Sequence, residues 1–108
     1  MAIDMGAIRF RINIDDSLFG LGQLSVSSSL IRSFENKDLF ETVLSKCLQR
    51  HVSGDFGVID ECDCQSNMDS IKIKDLRVIS RYKNSLVPSD ILVITQDGYT
   101  VVQTASEY

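Results

Sequence analysis

The chain has 108 residues, of which 44% are hydrophobic and 24% charged, with six glycines and one proline. This length and composition predict a single globular domain over residues 1–108 and exclude intrinsic disorder and collagen-like repeats. Eleven basic residues against fifteen acidic ones give a net charge of −4. That balance disfavours a general binder of nucleic acid or of anionic membranes.

The N-terminal segment and the cysteines indicate the compartment. Residues 1–10 contain the acidic Asp4 and no apolar run long enough for the core of a signal peptide. Every apolar stretch is far shorter than the ~18 residues needed to span a bilayer. The three cysteines, Cys47, Cys62 and Cys64, form an odd set that suits a reducing compartment better than a disulfide framework. We therefore expect a cytoplasmic protein.

Three elements are predicted before residue 33. Residues 7–14 alternate strictly between apolar and polar side chains, which is typical of a β-strand. After a glycine-containing turn at residues 20–22, residues 23–26 predict a second strand. Ser27 and its two neighbouring serines predict the cap of a short helix around Leu30 and Ile31.

The main helix is predicted over residues 37–50. Ser33 and Asn36 are both suitable N-cap residues, and acidic residues come early and basic ones late, as the helix dipole prefers. One apolar face appears at helical spacing. It consists of Leu39, Val43, Leu44, Cys47 and Leu48.

The second half of the chain predicts one acidic loop and three strands. From Gly57 to Asn67 the chain is polar and acidic, which predicts a loop with at most a short helix after Asp63. Residues 76–82, 91–95 and 99–104 predict strands, and the last two are joined by a tight hairpin turn. We therefore predict an α+β fold, in which a small antiparallel sheet has one main helix packed on one face.

One group of residues suggests zinc. Cys47 and His51 lie at i and i+4 on the predicted helix, and a Cys-x-Cys turn with Cys62 and Cys64 would complete four ligands. Structural zinc sites normally place two residues between paired cysteines, and Cys47 lies on the apolar helix face. The alternative of inert thiols is favoured, and we predict neither a metal nor another cofactor.

His51 is the only histidine, and Asp55 follows it by four residues. A carboxylate-oriented imidazole for acid–base chemistry is one interpretation. No nucleophile, phosphate-binding loop or second general acid accompanies the pair. The other interpretation, which we favour, is that His51 closes the helix and ties down the turn between Gly54 and Gly57.

The negative charge is concentrated in residues 51–71, where five acidic residues occur without any Lys or Arg. This acidic segment predicts a surface that docks on a basic protein, and the alternative is a solvated loop. The five residues are Asp55, Asp60, Glu61, Asp63 and Asp69.

Basic residues follow directly in the sequence. On a strand over 76–82, Arg77 and Arg81 would share one face with Ile79. Contact with RNA or DNA is one interpretation, and pairing with nearby carboxylates is the favoured one, so we expect no direct nucleic-acid partner. The whole basic group consists of Lys72, Lys74, Arg77, Arg81 and Lys83.

A resemblance to a known family rests mainly on the motif from His51 to Gly57, which reads His-Val-Ser-Gly-Asp-Phe-Gly. The chain resembles a family of small bacterial proteins carried on plasmids, phages or integrated mobile elements, most of them without assigned function. That family has a His, two variable residues and then Gly-Asp-Trp-Gly, and Phe56 stands here at the Trp position. The likeness extends over about residues 20–108 and includes Asn67, the segment Arg77–Tyr82, the segment Ile91–Thr95, Thr100 and the closing Glu107-Tyr108.

The resemblance implies an accessory protein of a mobile genetic element. Our first hypothesis is a non-enzymatic protein that binds a host protein, such as a nucleic-acid-binding defence component, as an anti-CRISPR or anti-restriction inhibitor. In this hypothesis the motif residues His51, Gly54, Asp55, Phe56 and Gly57 are structural. The second is a small ribonuclease-like enzyme or toxin that uses His51 and Asp55. The third is a module that self-associates through an exposed sheet edge.

Overall fold

The computed structural model describes the backbone of residues 2–5 and 8–11, and residues 14, 16–73, 77–87 and 89–108 in full. The elements in chain order are β1 (Ala2–Met5), β2 (Ile8–Arg11), β3 (Gln23–Val26), α1 (Ser28–Arg32), α2 (Lys37–Val52), α3 (Glu61–Ile73), β4 (Arg77–Tyr82), β5 (Ile91–Gln96) and β6 (Tyr99–Thr104). A 3-10 turn follows over Ala105–Glu107. The α+β class is confirmed.

The main sheet has four strands in the order β3-β6-β5-β4. β4 pairs antiparallel with β5, and β5 with β6, as the hairpin pattern predicts. β3 lies parallel to β6 at the opposite edge, so the sheet is mixed and not antiparallel throughout. Side-chain alternation does not encode strand direction. The three helices and two strands that lie between β3 and β6 in the chain form a connection long enough for a parallel pairing.

The predicted strand over 7–14 corresponds to β2, which pairs antiparallel with β1 in a separate two-stranded sheet. β1 was not predicted from the sequence. Ala7, Ile12 and Asn13 of the predicted strand lie outside the described residues, as does Leu76 of the strand predicted over 76–82.

α2 packs on one face of the main sheet. Asn36 caps it, because its side-chain Oδ1 accepts a hydrogen bond from the Leu39 amide at 2.7 Å. The helix extends to Val52, two residues beyond the predicted end. Its buried side chains are Phe40, Leu44, Cys47, Leu48, His51 and Val52. The sheet residues that face it are Val78, Ser80 and Tyr82 on β4, Ile91, Val93 and Thr95 on β5, and Thr100, Val102 and Thr104 on β6.

α3 occupies much of the segment where we predicted a loop, so that prediction was wrong. Asp60 begins the helix, since its carboxylate accepts a hydrogen bond from the Asp63 amide at 2.8 Å. Asn67 is the helix's one buried residue. A helix with a single buried position has no apolar stripe at 3.6-residue spacing, which is why the sequence pattern did not indicate it. No helix in the described ranges combines the length and the apolar character that crossing a membrane requires.

The outer edge of β4 is covered by hydrogen bonds from the chain itself. The Asn67 amide nitrogen donates to the Ile79 carbonyl at 2.8 Å, and the Ile79 amide donates to the Asn67 oxygen at 3.0 Å. Further along, the Arg81 amide donates to the Phe56 carbonyl at 3.0 Å, and the Arg81 carbonyl accepts from Val58 at 2.7 Å. These groups are therefore not free to pair with another strand.

Replacing Asn67 by Ala tests the role of this edge. The Asn67→Ala variant leaves the backbone groups of Ile79 without partners, so we expect the free energy of unfolding to fall by about 2 kcal/mol. Gln65→Ala, on the exposed side of the same helix, is the control and should change stability by less than about 0.5 kcal/mol. Urea unfolding measures both. Equal stability of the two variants would contradict a structural role for Asn67.

Candidate functional site

Four buried polar side chains form one continuous hydrogen-bonded chain, which we call the His51 network: His51, Ser80, Thr95 and Thr100. His51 Nδ1 lies 2.6 Å from Ser80 Oγ, and His51 Nε2 lies 2.9 Å from Thr95 Oγ1. Thr95 Oγ1 lies 2.7 Å from Thr100 Oγ1, which donates to the Leu21 carbonyl at 2.5 Å. The network connects α2 to β4, β5, β6 and the segment before β3.

The Leu21 carbonyl determines the direction of every bond in the network. A carbonyl can only accept, so the Thr100 hydroxyl donates to it and must itself accept from Thr95. The Thr95 hydroxyl, having donated its proton, accepts from His51 Nε2. His51 is therefore the Nε2–H tautomer, and its Nδ1 accepts the Ser80 hydroxyl proton.

The surroundings of His51 keep its ring uncharged. The residue is 0% exposed, and the ring of Phe19 contacts it edge-on at 5.2 Å between centroids. Burial lowers the pKa of His51 from 6.5 to about 4. Both ring nitrogens are engaged in hydrogen bonds, so His51 has neither a lone pair nor a proton directed at a substrate.

The end of α2 forms a Schellman motif around Gly54. The Asp55 amide donates to the Arg50 carbonyl at 2.9 Å, and the Gly54 amide donates to the His51 carbonyl at 3.4 Å. Gly54 has a φ of +87°, which suits glycine far better than any residue with a Cβ atom. The helix thus ends at Val52, one residue after His51.

Asp55 binds Arg50 and not His51. Its carboxylate accepts from Arg50 Nε at 2.7 Å and from Nη2 at 3.2 Å, and it also accepts from the Gly57 amide at 3.3 Å. The hydrogen bond from Arg50 is the main cause that lowers the pKa of Asp55. The Arg50 guanidinium lies 4.5 Å from the centre of the Tyr82 ring, whose hydroxyl donates to the Asp55 carbonyl at 2.7 Å. The structure therefore does not assemble a His51–Asp55 acid–base pair.

Phe56 and Gly57 hold the turn against β4. Phe56 is only 3% exposed, and its carbonyl accepts a hydrogen bond from the Arg81 amide at 3.0 Å. Gly57 has a φ of +74°, and a Cβ atom added there would lie 2.1 Å from the Arg81 carbonyl oxygen. The turn can approach β4 this closely only because residue 57 has no side chain.

The residues of the proposed zinc site are not brought together. Cys47 is buried, and burial raises the pKa of its thiol to about 11, while Cys62 and Cys64 are exposed on α3. Across the described ranges, no three His, Cys, Asp or Glu residues are grouped so that they could hold a metal ion. His51 could not join such a group without breaking its two hydrogen bonds.

The acidic residues are distributed over the turn and α3. Asp60 caps α3, and Asp69 accepts a hydrogen bond from Gln65 at 2.9 Å. Glu61 and Asp63 are exposed in the first turn of the helix. Among the described residues, Asp55 is the only one of the five predicted acidic residues in an ion pair.

The basic residues after α3 have different surroundings. Arg81 forms an ion pair with Asp90 at 2.6 Å, as the favoured interpretation predicted for this group. Arg77 donates to the Tyr108 hydroxyl. Lys72 and Lys83 are exposed, and Lys74 lies outside the described residues.

Sequence reasoning missed three members of the His51 network. Ser80, Thr95 and Thr100 were assigned to strands, but their hydroxyls were not assigned a role. The available signal was their position, because strand alternation places each of them on the face that carries Val78, Val93 and Val102. A hydroxyl at a core-facing strand position requires a buried partner.

The buried histidine predicts a specific loss of stability in mild acid. Below pH 6.5 the unfolded chain binds a proton at His51, while the folded protein does not bind it until about pH 4. Acid therefore favours the unfolded state, and the free energy of unfolding should fall by about 2 kcal/mol between pH 7.5 and pH 5. Urea unfolding at both values measures this loss. An NMR titration of the single histidine should show a midpoint near 4, and a midpoint near 6.5 would contradict the burial.

A pair of glycine variants separates steric overlap from backbone strain. Gly57 and Gly98 both have positive φ, but a Cβ atom at Gly98 would meet nothing within 4 Å. We expect Gly98→Ala to cost about 1 kcal/mol and Gly57→Ala about 3 kcal/mol or more, since only the latter forces the turn away from β4. Urea unfolding compares them. Similar losses would show that the contact between Gly57 and Arg81 contributes little.

Comparisons with protein-family models, with curated proteins and with solved structures give no match for this chain. The resemblance to proteins of plasmids and phages therefore stays a prediction. The structural roles of His51, Gly54, Asp55, Phe56 and Gly57 follow from their own contacts.

Proposed function

We propose that this protein is a non-enzymatic, cytoplasmic accessory protein of a mobile genetic element and that it binds a host protein through an acidic surface. The surface, which we call the α3 surface, consists of Asp60, Glu61, Asp63 and Asp69. Its partner presents basic side chains. The inhibition of a CRISPR or restriction component is the activity that fits the resemblance to plasmid- and phage-borne proteins.

The observation that carries the proposal is the exposure of α3. Of its thirteen residues only Asn67 is buried, and that side chain fastens the helix to the edge of β4. Residues 60–73 contain four acidic residues and one basic residue, Lys72, so the projecting helix has a net charge of −3.

The position of the charges favours recognition of a basic protein surface. Three of the four carboxylates lie within the first turn, and Asp69 lies about two turns from Glu61. The negative electrostatic field of these carboxylates accelerates the encounter with a positively charged partner, and salt screens it. Met68, which is 41% exposed on the same helix, adds an apolar contact that charge alone would not supply.

The state of His51 supports a non-enzymatic role. Its side chain is buried, uncharged near neutral pH and hydrogen-bonded at both nitrogens, and the Asp55 carboxylate belongs to Arg50. An acid–base mechanism would need a side chain that can exchange a proton with a substrate. The residues of the motif are instead engaged in holding α2, the turn and β4 together.

Capture from host extract tests the partner. We expect the wild type to capture a basic host protein at 0.1 M salt and to release it as the salt rises. A variant with Glu61→Gln, Asp63→Asn and Asp69→Asn should lose this capture at least tenfold, because it removes three charges without changing the Asp60 cap. Quantitative mass spectrometry of the captured proteins measures the difference.

The matched control neutralises three exposed acidic residues elsewhere, through Glu35→Gln, Asp38→Asn and Asp97→Asn. It has the same net charge as the α3 variant and should capture the partner like the wild type. If both variants lost the captured partner equally, net charge alone would explain the binding, and a localised binding surface would be contradicted. Retention of the partner by the α3 variant would contradict it as well.

Phage plating tests the activity. In hosts that carry a CRISPR or a restriction system, expression of the wild type should raise phage plating at least tenfold, and expression of the α3 variant should not. Growth arrest by the wild type that the α3 variant retains would instead support the enzyme or toxin hypothesis.

A further inference from the structure

The sheet has a second face, turned away from α2, which we call the open face. Strand pairing arranges it in three rows across the strands: Arg77, Gln96, Tyr99 and Gln23; then Ile79, Ile94, Val101 and Ser25; then Arg81, Leu92 and Gln103. None of these residues belongs to the hydrophobic core cluster, which lies entirely on the α2 side. The first row is exposed, whereas Leu92 in the third row is buried and the aliphatic side chains of the second row are half-buried. The accessible part of the open face is therefore the polar first row.

The open face differs in charge from the rest of the molecule. Its rows contain two arginines and no acidic residue, although the whole chain has a net charge of −4. The positive charge of Arg81 is neutralised by its ion pair with Asp90. Arg77 is exposed and, among the residues that the structure describes, forms no ion pair; its guanidinium donates to the hydroxyl of Tyr108. Arg77 is thus available to an anion.

Two exposed aromatic rings accompany Arg77. Tyr99 lies in the same row, two strands away, and is 58% exposed, while Tyr108 is 68% exposed and reaches Arg77 through its hydroxyl. Adjacent strands are about 4.8 Å apart, so Arg77 and Tyr99 are separated by about 10 Å. Between them lies Gln96, whose planar amide can both donate and accept.

We propose that the open face binds single-stranded nucleic acid. Arg77 contacts a backbone phosphate, the rings of Tyr99 and Tyr108 stack on unpaired bases, and Gln96 and Gln23 hydrogen-bond to base edges. Aromatic side chains on an exposed sheet, together with a guanidinium, are the combination by which sheets recognise unpaired bases. This binding is independent of the α3 surface, which has the opposite charge.

Other occupants fit the open face less well. A second copy docked face to face would bring the unpaired Arg77 of each copy into one interface whose rows supply no carboxylate to pair with it. An acidic peptide would satisfy Arg77 but has no planar bases to stack on the two tyrosines. A DNA or RNA duplex keeps its bases stacked on one another, out of reach of rings on a flat sheet.

Fluorescence anisotropy tests the proposal with labelled 12-nucleotide single strands of mixed sequence, one of DNA and one of RNA, at 50 mM salt. We expect binding that weakens with salt at a logarithmic slope near −0.7, as expected for one phosphate contact. The duplex of the same sequence should bind about tenfold more weakly. Absence of binding to both single strands, or equal binding of the duplex, would overturn the proposal.

Variants of the open face locate the binding. Arg77→Gln, Tyr99→Ala and Tyr108→Ala should each weaken it at least fivefold, since each removes one contact. Tyr99→Phe keeps the ring and should bind like the wild type, as should Lys46→Gln, which removes an exposed charge from α2. Thermal unfolding verifies that each variant is folded.

Unchanged binding in the three open-face variants would overturn the proposal. It would also be overturned by light scattering that shows a dimer of the wild type dissociating with Tyr99→Ala, because the face would then belong to a second copy. The α3 variant should bind the single strands at least as well as the wild type, so failure of this proposal and failure of the proposed protein partner are separate outcomes.

Discussion

A single buried imidazole links the parts of this fold. His51 enters the core from α2 and, through Ser80, Thr95 and Thr100, reaches three strands and the Leu21 carbonyl before β3. A buried polar group without a partner is costly, and these groups satisfy one another. In the described part of the chain, every buried side-chain nitrogen and oxygen has a hydrogen-bond partner. The direction of the bonds is set by one carbonyl, so the network has one arrangement at neutral pH.

The turn after α2 depends on the same anchoring. α2 continues for one residue beyond His51, and Gly54 ends it in the left-handed conformation. Asp55 then binds back to Arg50, and Gly57 passes against β4 at a distance that no side chain would permit. The motif from His51 to Gly57 is therefore a connection between a helix and the edge of a sheet, and its polar residues are engaged in that connection.

The charges divide the molecule into surfaces of different character. α3 projects from the edge of β4 with a net charge of −3, whereas the open face has arginines and no acidic residue. The net charge of −4 is thus the sum of unlike regions. An acidic helix next to a basic, aromatic sheet face suits a protein that meets a nucleic-acid-binding partner, in which basic protein surface and single strands lie close together. This combined picture rests on both proposals.

The sequence by itself determined most of the local structure. Strand-forming residue types and turn signals located the strands β3 to β6, and apolar spacing after two candidate caps, Ser33 and Asn36, located α2 within two residues of its end. The two glycines of the motif indicated its turn. The remaining features were decided by tertiary structure alone, because they depend on contacts between residues that are distant in the sequence. The parallel pairing of β3 with β6, the attachment of α3 through Asn67 and the hydroxyl partners of His51 are contacts that no local pattern encodes. Hydrophobic periodicity reports which face of an element is buried, but not which polar group in the core will meet it.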